Sequence, residues 1–456
     1  MKIIILGSGQ VGYSLAENLI NENHDITLVD EDASKVNPIA EKLDLRTVIG
    51  RCSYPEVLRN AGAEEADMLL AVTDSDEVNM VACQVAYSLF NIGKKIARIR
   101  SQHYLIKEEL FGSENLPIDV FISPEQLVTR FVQQVIAHPG SLQIFEFGDG
   151  SIKMVAVKAY YGGHAIGKTI KEIYESLKDI DFRISMVFRG DKFMVLSMDD
   201  DIHLGDEVYF TAHEKHVHII LSVFRRVDDP YHRVMIAGGG GIGGCLAETI
   251  QHDYTVKVVD RNRMHCEYLA DKLDVTVLHG NACDTDLLCN ENIDSVDVFC
   301  AVTNDDEDNI LACMQAKRLG AKQVMPLITR SAYVDMMHGG PINIAISPQQ
   351  ATVGSILKHL RKGDVLNVYP MHGKISEVME VRMHGDKKSS KVVGRTVSEI
   401  KWPKSIYILA VIRNEELILQ FADLVIDDGD HLVVFIGDKK RLLDVGKLFQ
   451  VSAEYF

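Results

Sequence analysis

The chain is short of positive charge, of long apolar runs and of paired cysteines. Lysine and arginine number 48 against 65 acidic residues, a formal net charge of −17. A general nucleic-acid binder needs basic surface, and so does a protein that spreads on anionic lipid, so both classes are excluded. No run of about 18 apolar residues exists, which excludes a membrane-spanning helix. Even the long uncharged stretch 78–93 is broken by Asn79, Gln84 and Asn91. The 8 cysteines show no C-x-x-C spacing, and His138, His164 and His216 show no ligand spacing. No metal site is expected, and the thiols read as the reduced, partly buried residues of a cytosolic protein. A strand begins at residue 3, so no signal peptide is expected.

What is present begins at once. Ile3-Ile4-Ile5-Leu6 suits a buried parallel strand. Gly7-Ser8-Gly9-Gln10-Val11-Gly12 follows and leads into a helical run. In a G-x-G-x-x-G turn the first glycine permits the turn, the second admits a pyrophosphate, and the third lets helix and strand pack closely. The helix start then offers N–H groups and a positive dipole end to phosphate. Asp30 closes the next strand, 18 residues beyond Gly12. A carboxylate there accepts hydrogen bonds from ribose hydroxyls, which favours NAD over a 2′-phosphorylated cofactor.

The chain is written twice. Gly238-Gly239-Gly240-Gly241-Ile242-Gly243 repeats the turn, and Asp260 follows 17 residues after Gly243. Residues 67–83 match 297–313, Ile122-Ser123-Pro124 matches Ile346-Ser347-Pro348, and residues 166–173 match 393–400. A period near half the chain means duplicated modules rather than a solenoid. In the first half, strands expected at 2–6, 26–30, 46–49, 67–72, 95–99 and 118–122 alternate with helices at 11–22, 33–43, 54–61, 76–90 and 103–111. That alternation implies a doubly wound parallel sheet, the Rossmann-like α/β class. A Ser-Pro signal then starts a helix at 124–137, repeated at 349–360. Their stripes (Leu127, Phe131, Val135; Val353, Ile356, Leu360) serve either contacts between subunits or halves, or a domain core. Short alternating strands follow each, in a small α+β module. The expected domains are 1–140, 141–227, 231–363 and 364–456. Asp228-Asp229-Pro230 is the expected linker, and each half is expected to fold by itself.

These features together resemble the RCK family, regulators of potassium conductance, over essentially the whole chain. The glycine turn with Asp30, the segments 71–79 and 301–309, the Ile-Ser-Pro signal and the duplication carry the resemblance. It implies RCK-N nucleotide-binding domains, each followed by an RCK-C domain. It also implies a homotetramer or other homo-oligomeric ring docked on the cytoplasmic face of a membrane-embedded potassium-translocating subunit. NAD+ or NADH and ATP or ADP would set the ring's shape and so gate ion flux. By position, the phosphate loops are Gly7–Gly12 and Gly238–Gly243, and the ribose acids are Asp30 and Asp260. Many members carry an acid after the glycine that ends the third strand. Here Gly50-Arg51-Cys52-Ser53 and Gly280-Asn281-Ala282-Cys283 stand there, a departure from the family pattern on the adenine side, where Cys52 and Asn281 are the candidate contacts.

Thr73 and Thr303 end the fourth strands, where such sheets bind ligands, and serve either a ligand there or an ordinary turn. Arg98 and Arg100 flank Ile99, where an arginine either donates to a phosphate or closes a surface ion pair. The extra glycines of the second loop cost backbone entropy on ordering and point to weaker binding or another nucleotide. Arg261, beside Asp260, favours an additional phosphate. The acidic run 199–201 reads as a solvated turn. An NAD-dependent oxidoreductase is the alternative function, but the small modules show no acid/base constellation, and a dinucleotide fold alone does not make an enzyme. The expected protein is therefore a non-enzymatic regulatory subunit.

Overall fold

The computed structural model describes residues 1–450 apart from 21, 23, 113, 191, 227–228, 338–341, 343, 362–363, 372–375 and 439–440. The linker residue Asp228 lies outside the described residues. The first sheet has six parallel strands, Lys2–Leu6, Asp25–Asp30, Arg46–Ile49, Met68–Ala71, Lys94–Arg98 and Val120–Ile122, in the order third, second, first, fourth, fifth, sixth. Ile5 sits in register with Leu28 on one side and Leu70 on the other, all three fully buried. Such strands are buried on both faces, which is why they read as unbroken aliphatic runs. The order reverses beside Lys2–Leu6, the point at which doubly wound sheets take ligands at the strands' carboxyl ends.

The second domain repeats the order with five strands: Arg233–Ala237, Thr255–Asp260, Thr276–His279, Val298–Ala301 and Gln323–Pro326. A sixth is reduced to a single parallel bridge between Leu327 and Ile346. The helix expected over 103–111 is instead a short helix, Gln102–Leu105, and a 3-10 turn, Glu108–Leu110.

Each small module is a five-stranded antiparallel sheet, and the two share one strand order. Each also holds the same arginine on a buried aspartate. Arg189 grips Asp206 with two bonds of 2.8 Å, and Arg413 grips Asp430 with two of 2.7 Å. Strand Ile152–Lys158 is buried on both faces. Val155 and Val157 pack under the module's own helices, while Met154 and Ala156 join a core with Val378, Leu409, Val433 and Phe435 of the other module. Phe193 stacks on Phe435 at 4.4 Å, and Phe145 meets Tyr369 at 4.7 Å. The Tyr369 hydroxyl donates to the Glu146 carbonyl at 2.9 Å. The halves are therefore not independent in packing, contrary to the sequence expectation.

By packing, the chain divides into two compact units. One comprises Met1–Val128, Thr329–Ser331 and Ser347–His359; the other holds the rest. The first unit thus includes a helix of the second half, Pro348–Leu357, which lies against the helix Gln10–Ile20. Ser347 caps it by accepting from the Gln350 N–H. Val353, Ile356 and Leu360 are buried as the stripe predicts. On the matching helix Pro124–Ala137 the buried aliphatic residues are Val128, Val132, Val135 and Ile136, so Leu127 and Phe131, half-buried, flank them.

The Lys94 ammonium donates to the His359 carbonyl at 2.8 Å, at the far end of the crossing helix. Burial, then Lys358 and Lys94, lowers the His359 imidazole from its ordinary 6.5 to about 4. The folded state disfavours the proton that the unfolded chain accepts, so stability rises with pH across that window. Acidification from pH 6.5 toward 4 should therefore loosen this end of the helix. His359→Gln should flatten the pH dependence of the melting temperature there; an unchanged profile would count against it.

Candidate functional site

Both glycine turns form at the sheet's switch point. Gly7 has φ +102° and Gly238 φ +109°, a region that strains any side chain. A Cβ on Gly12 would lie 1.9 Å from the Gly7 carbonyl oxygen, and one on Gly243 would lie 1.8 Å from that of Gly238. Around Gly9 and Gly240, by contrast, nothing stands within 4 Å of where a Cβ would be. The second glycine of each turn therefore fronts open space, where the motif admits a pyrophosphate. Helices Gln10–Ile20 and Gly241–Ile250 begin there with no acid in the first turn. Their first N–H groups have no intrahelical acceptor and favour an anion. Val11 is buried beneath the turn, and Ile242 is half-buried.

The two aspartates hold these turns. Asp30 accepts from the Ser8 N–H and hydroxyl, both at 2.7 Å, and from the Asp32 N–H at 3.0 Å. Burial opposes its charge, but these donors and Lys35 outweigh it and keep the carboxyl below its usual range. Asp260 accepts from the N–H groups of Gly239 and Asn262, and from His265 at 3.3 Å. A carboxylate offers about four acceptor positions, so each still has capacity for ribose hydroxyls. Asp30→Ala should weaken NAD(H) by about 1–3 kcal/mol, the scale of a hydrogen bond to a charged group and its unmet partners. Calorimetry checks this; unchanged affinity in a folded variant would remove Asp30 from the site.

Gly239 faces the end of a neighbouring side chain. A Cβ there would lie 2.8 Å from Leu269 Cδ1. The first half carries the β-branched Ile39 at the matching position and tolerates Ser8.

Thr73 and Thr303 lie directly beneath the turns, the backbone of Thr73 at 3.0 Å from a Cβ placed on Gly7. Their hydroxyls donate to Asn79 and Asn309, each at 2.7 Å. These asparagines are fully buried and also donate to the carbonyls of Arg98 and Leu327, both at 2.9 Å. They brace the fourth strand's end against the fifth. Their sequence signal was the repeated segment 71–79 and 301–309, in which the threonines drew the attention.

The halves diverge at the rim. Arg98 has its Nε buried without a hydrogen-bond partner. Burial and then Arg100 lower its pKa, opposed by Glu125, Asp76 and Asp74. A buried Nε–H with no acceptor on a half-buried arginine fits an anionic ligand. Its counterpart in the second half, by strand register, is Leu327, which is buried. Arg100 instead pairs with Glu125 at 3.1 Å. The Cys52 thiol is buried, donates to the Val29 carbonyl and is pushed up to about 12 by burial and by Asp30. Asn281 accepts from Arg261 at 2.6 Å, and Arg261 also bonds Asp308 at 2.9 Å. The first half places Glu31 against Arg51 at 3.4 Å in that position.

Asp200 accepts from the N–H and hydroxyl of Ser197, so the acidic run 199–201 caps a turn. Among the described residues, no group of three or more His, Cys, Asp or Glu is placed to hold a metal, and no helix is long and apolar enough to cross a membrane.

Comparison with known proteins places this geometry among relatives. The TrkA-N domain profile matches residues 3–124 and 234–348, and the TrkA-C domain profile matches 386–450. The Trk system potassium uptake protein TrkA of Halomonas elongata is 49% identical and is covered over 100% of both chains. That of Vibrio alginolyticus is 47% identical over 99% of both. The crystal structure of the GsuK RCK domain superposes with a TM-score of 0.61 at 17% identity, over 98% of this chain and 94% of that one. The GsuK channel bound to NAD gives 0.60 at 16% identity, over 98% of this chain and 78% of that one. At such identity the likeness speaks for the fold.

Proposed function

The chain belongs to the family of the Trk system potassium uptake protein TrkA, and from that membership we propose that it senses nucleotides for a membrane-embedded potassium-translocating partner. It is the regulatory subunit, peripheral on the cytoplasmic face of the membrane, and it gates the partner in response to NAD(H) and to ATP or ADP. It works as a homotetramer or another homo-oligomeric ring, and it performs no chemistry on the nucleotide. One observation carries the reading: the same turn occurs twice, with open space before Gly9 and Gly240 and a carboxylate behind each.

The residues present fit a dinucleotide. The Gly7–Gly12 turn and the first helix would take the pyrophosphate, Asp30 the ribose, and Arg98 a phosphate or its charge. Gly238–Gly243 and Asp260 would act likewise in the second domain, with Thr73 and Thr303 under the two turns. Cys52 and Asn281 stand on the adenine side. Arg261 stands beside the ribose acid where the first half has Glu31, which favours a nucleotide bearing an extra phosphate in the second site.

Gating requires a nucleotide to bind one arrangement of the ring better than another, because equal affinity shifts nothing. A preference of about 1.4 kcal/mol changes the ratio of states tenfold. Calorimetry of the full chain with NADH, NAD+, ADP and ATP should show saturable binding. Absence of binding by all four would overturn the reading, and nicotinamide turnover with a substrate would replace it with the oxidoreductase.

A further inference from the structure

The first phosphate loop touches a residue from the other half of the chain. Gln349, 7% exposed, is the second residue of the crossing helix Pro348–Leu357. Its side-chain amide donates to the Gln10 carbonyl at 3.2 Å and to the Ser14 hydroxyl, itself buried. Gln10 is the fourth residue of the glycine turn. Its carbonyl shares a peptide group with the Val11 N–H, one of the first-turn donors that have no intrahelical acceptor.

A peptide group that accepts a hydrogen bond at oxygen is polarised into a better donor at nitrogen. Gln349 on one side of that peptide and an anion on the other therefore strengthen each other. The coupling is reciprocal: whatever the amide adds to anion binding, the anion adds to docking of the helix. The matching position in the first half is Glu125, a carboxylate that pairs with Arg100 and has no N–H to give. The link is thus built for one of the two sites.

We propose that Gln349 is a positioning residue that couples nucleotide occupancy of the first loop to docking of the crossing helix 348–357. The proposal rests on the reading of Gly7–Gly12 as a phosphate loop. It goes further in assigning a route from that loop to the second half, which continues from His359.

Hydrogen exchange of the full chain, with and without NADH, tests it. In the native chain NADH should slow exchange over both 7–16 and 347–359. In Gln349→Met, which keeps the shape but not the donor, NADH should still protect 7–16. Protection of 347–359 should fall about fivefold, the lower end of ordinary coupling. Ser14→Ala, which removes one acceptor and suits a helix, should move the helix readout in the same direction and guards against a folding defect in the first variant. Equal protection of 347–359 in the native chain and both variants would overturn the coupling, as would protection of the loop alone in the native chain. Protection of neither segment would overturn the phosphate-loop reading and the coupling with it.

Discussion

Gly12→Ala should strip the first domain of its nucleotide. The added methyl would lie 1.9 Å from the Gly7 carbonyl oxygen and 3.0 Å from its carbon, both backbone atoms. No side chain can swing away, so the helix must retreat from the strand that precedes it. That retreat moves the first-turn N–H groups, which are what the helix offers a phosphate. Overpacking of this kind costs about 1–3 kcal/mol. Falling on the bound conformation, the upper end amounts to about a hundredfold in affinity at 1.4 kcal/mol per decade. Gly243→Ala should do the same to the second domain, where the distance is 1.8 Å. Calorimetry on the two variants should therefore show complementary losses, each with one class of site remaining. Native affinity at both sites in either variant would refute the assignment of the loops.

Phe435→Ala should have the largest effect on stability. Phe435 is 1% exposed, stacks on Phe193 and lies in the core shared by the two small modules. Truncating a buried phenylalanine costs about 3–5 kcal/mol when the cavity cannot collapse. Here it is walled by two sheets, each held by its own strand ladder. For the paired modules, together the size of a mid-sized domain, this corresponds to a fall of about 10 °C in their melting temperature. Calorimetric melting of the full chain is the check; a shift within the scatter of surface substitutions would mean that the shared core contributes little. By the same reasoning, residues 1–227 expressed without 231–456 should expose Phe145, Phe147 and Met154 and aggregate. Supplying both pieces together should restore solubility.

The parallel sheets were legible because their signals are local. Strands such as Ile3–Leu6 carry unbroken aliphatic runs, the turns carry their glycines, and a second copy of each feature confirms the first. The pairing of the small modules was not legible. Strand Ile152–Lys158 is buried on both faces, but it read as a short alternating strand, and nothing local names what covers its second face. Gln349 was invisible for a related reason: its partners lie 339 and 335 residues away, and no period connects them. Spacing left the Leu127, Phe131 and Val135 stripe open between contacts and core; Val128 and Val132 fill the core beside it, and two adjacent apolar faces on one helix give the same count. The glycines of the second loop read as backbone entropy; that Gly239 lies against the movable end of Leu269 is visible only in the fold.

The most direct test of the central claim is potassium flux through the reconstituted membrane partner with this protein bound, as NAD+, NADH, ADP and ATP are exchanged. The account predicts that flux changes with the nucleotide, and that Gly12→Ala and Gly243→Ala each blunt the response while the protein stays attached. Flux that ignores all four nucleotides, under conditions where calorimetry shows them bound, would contradict it.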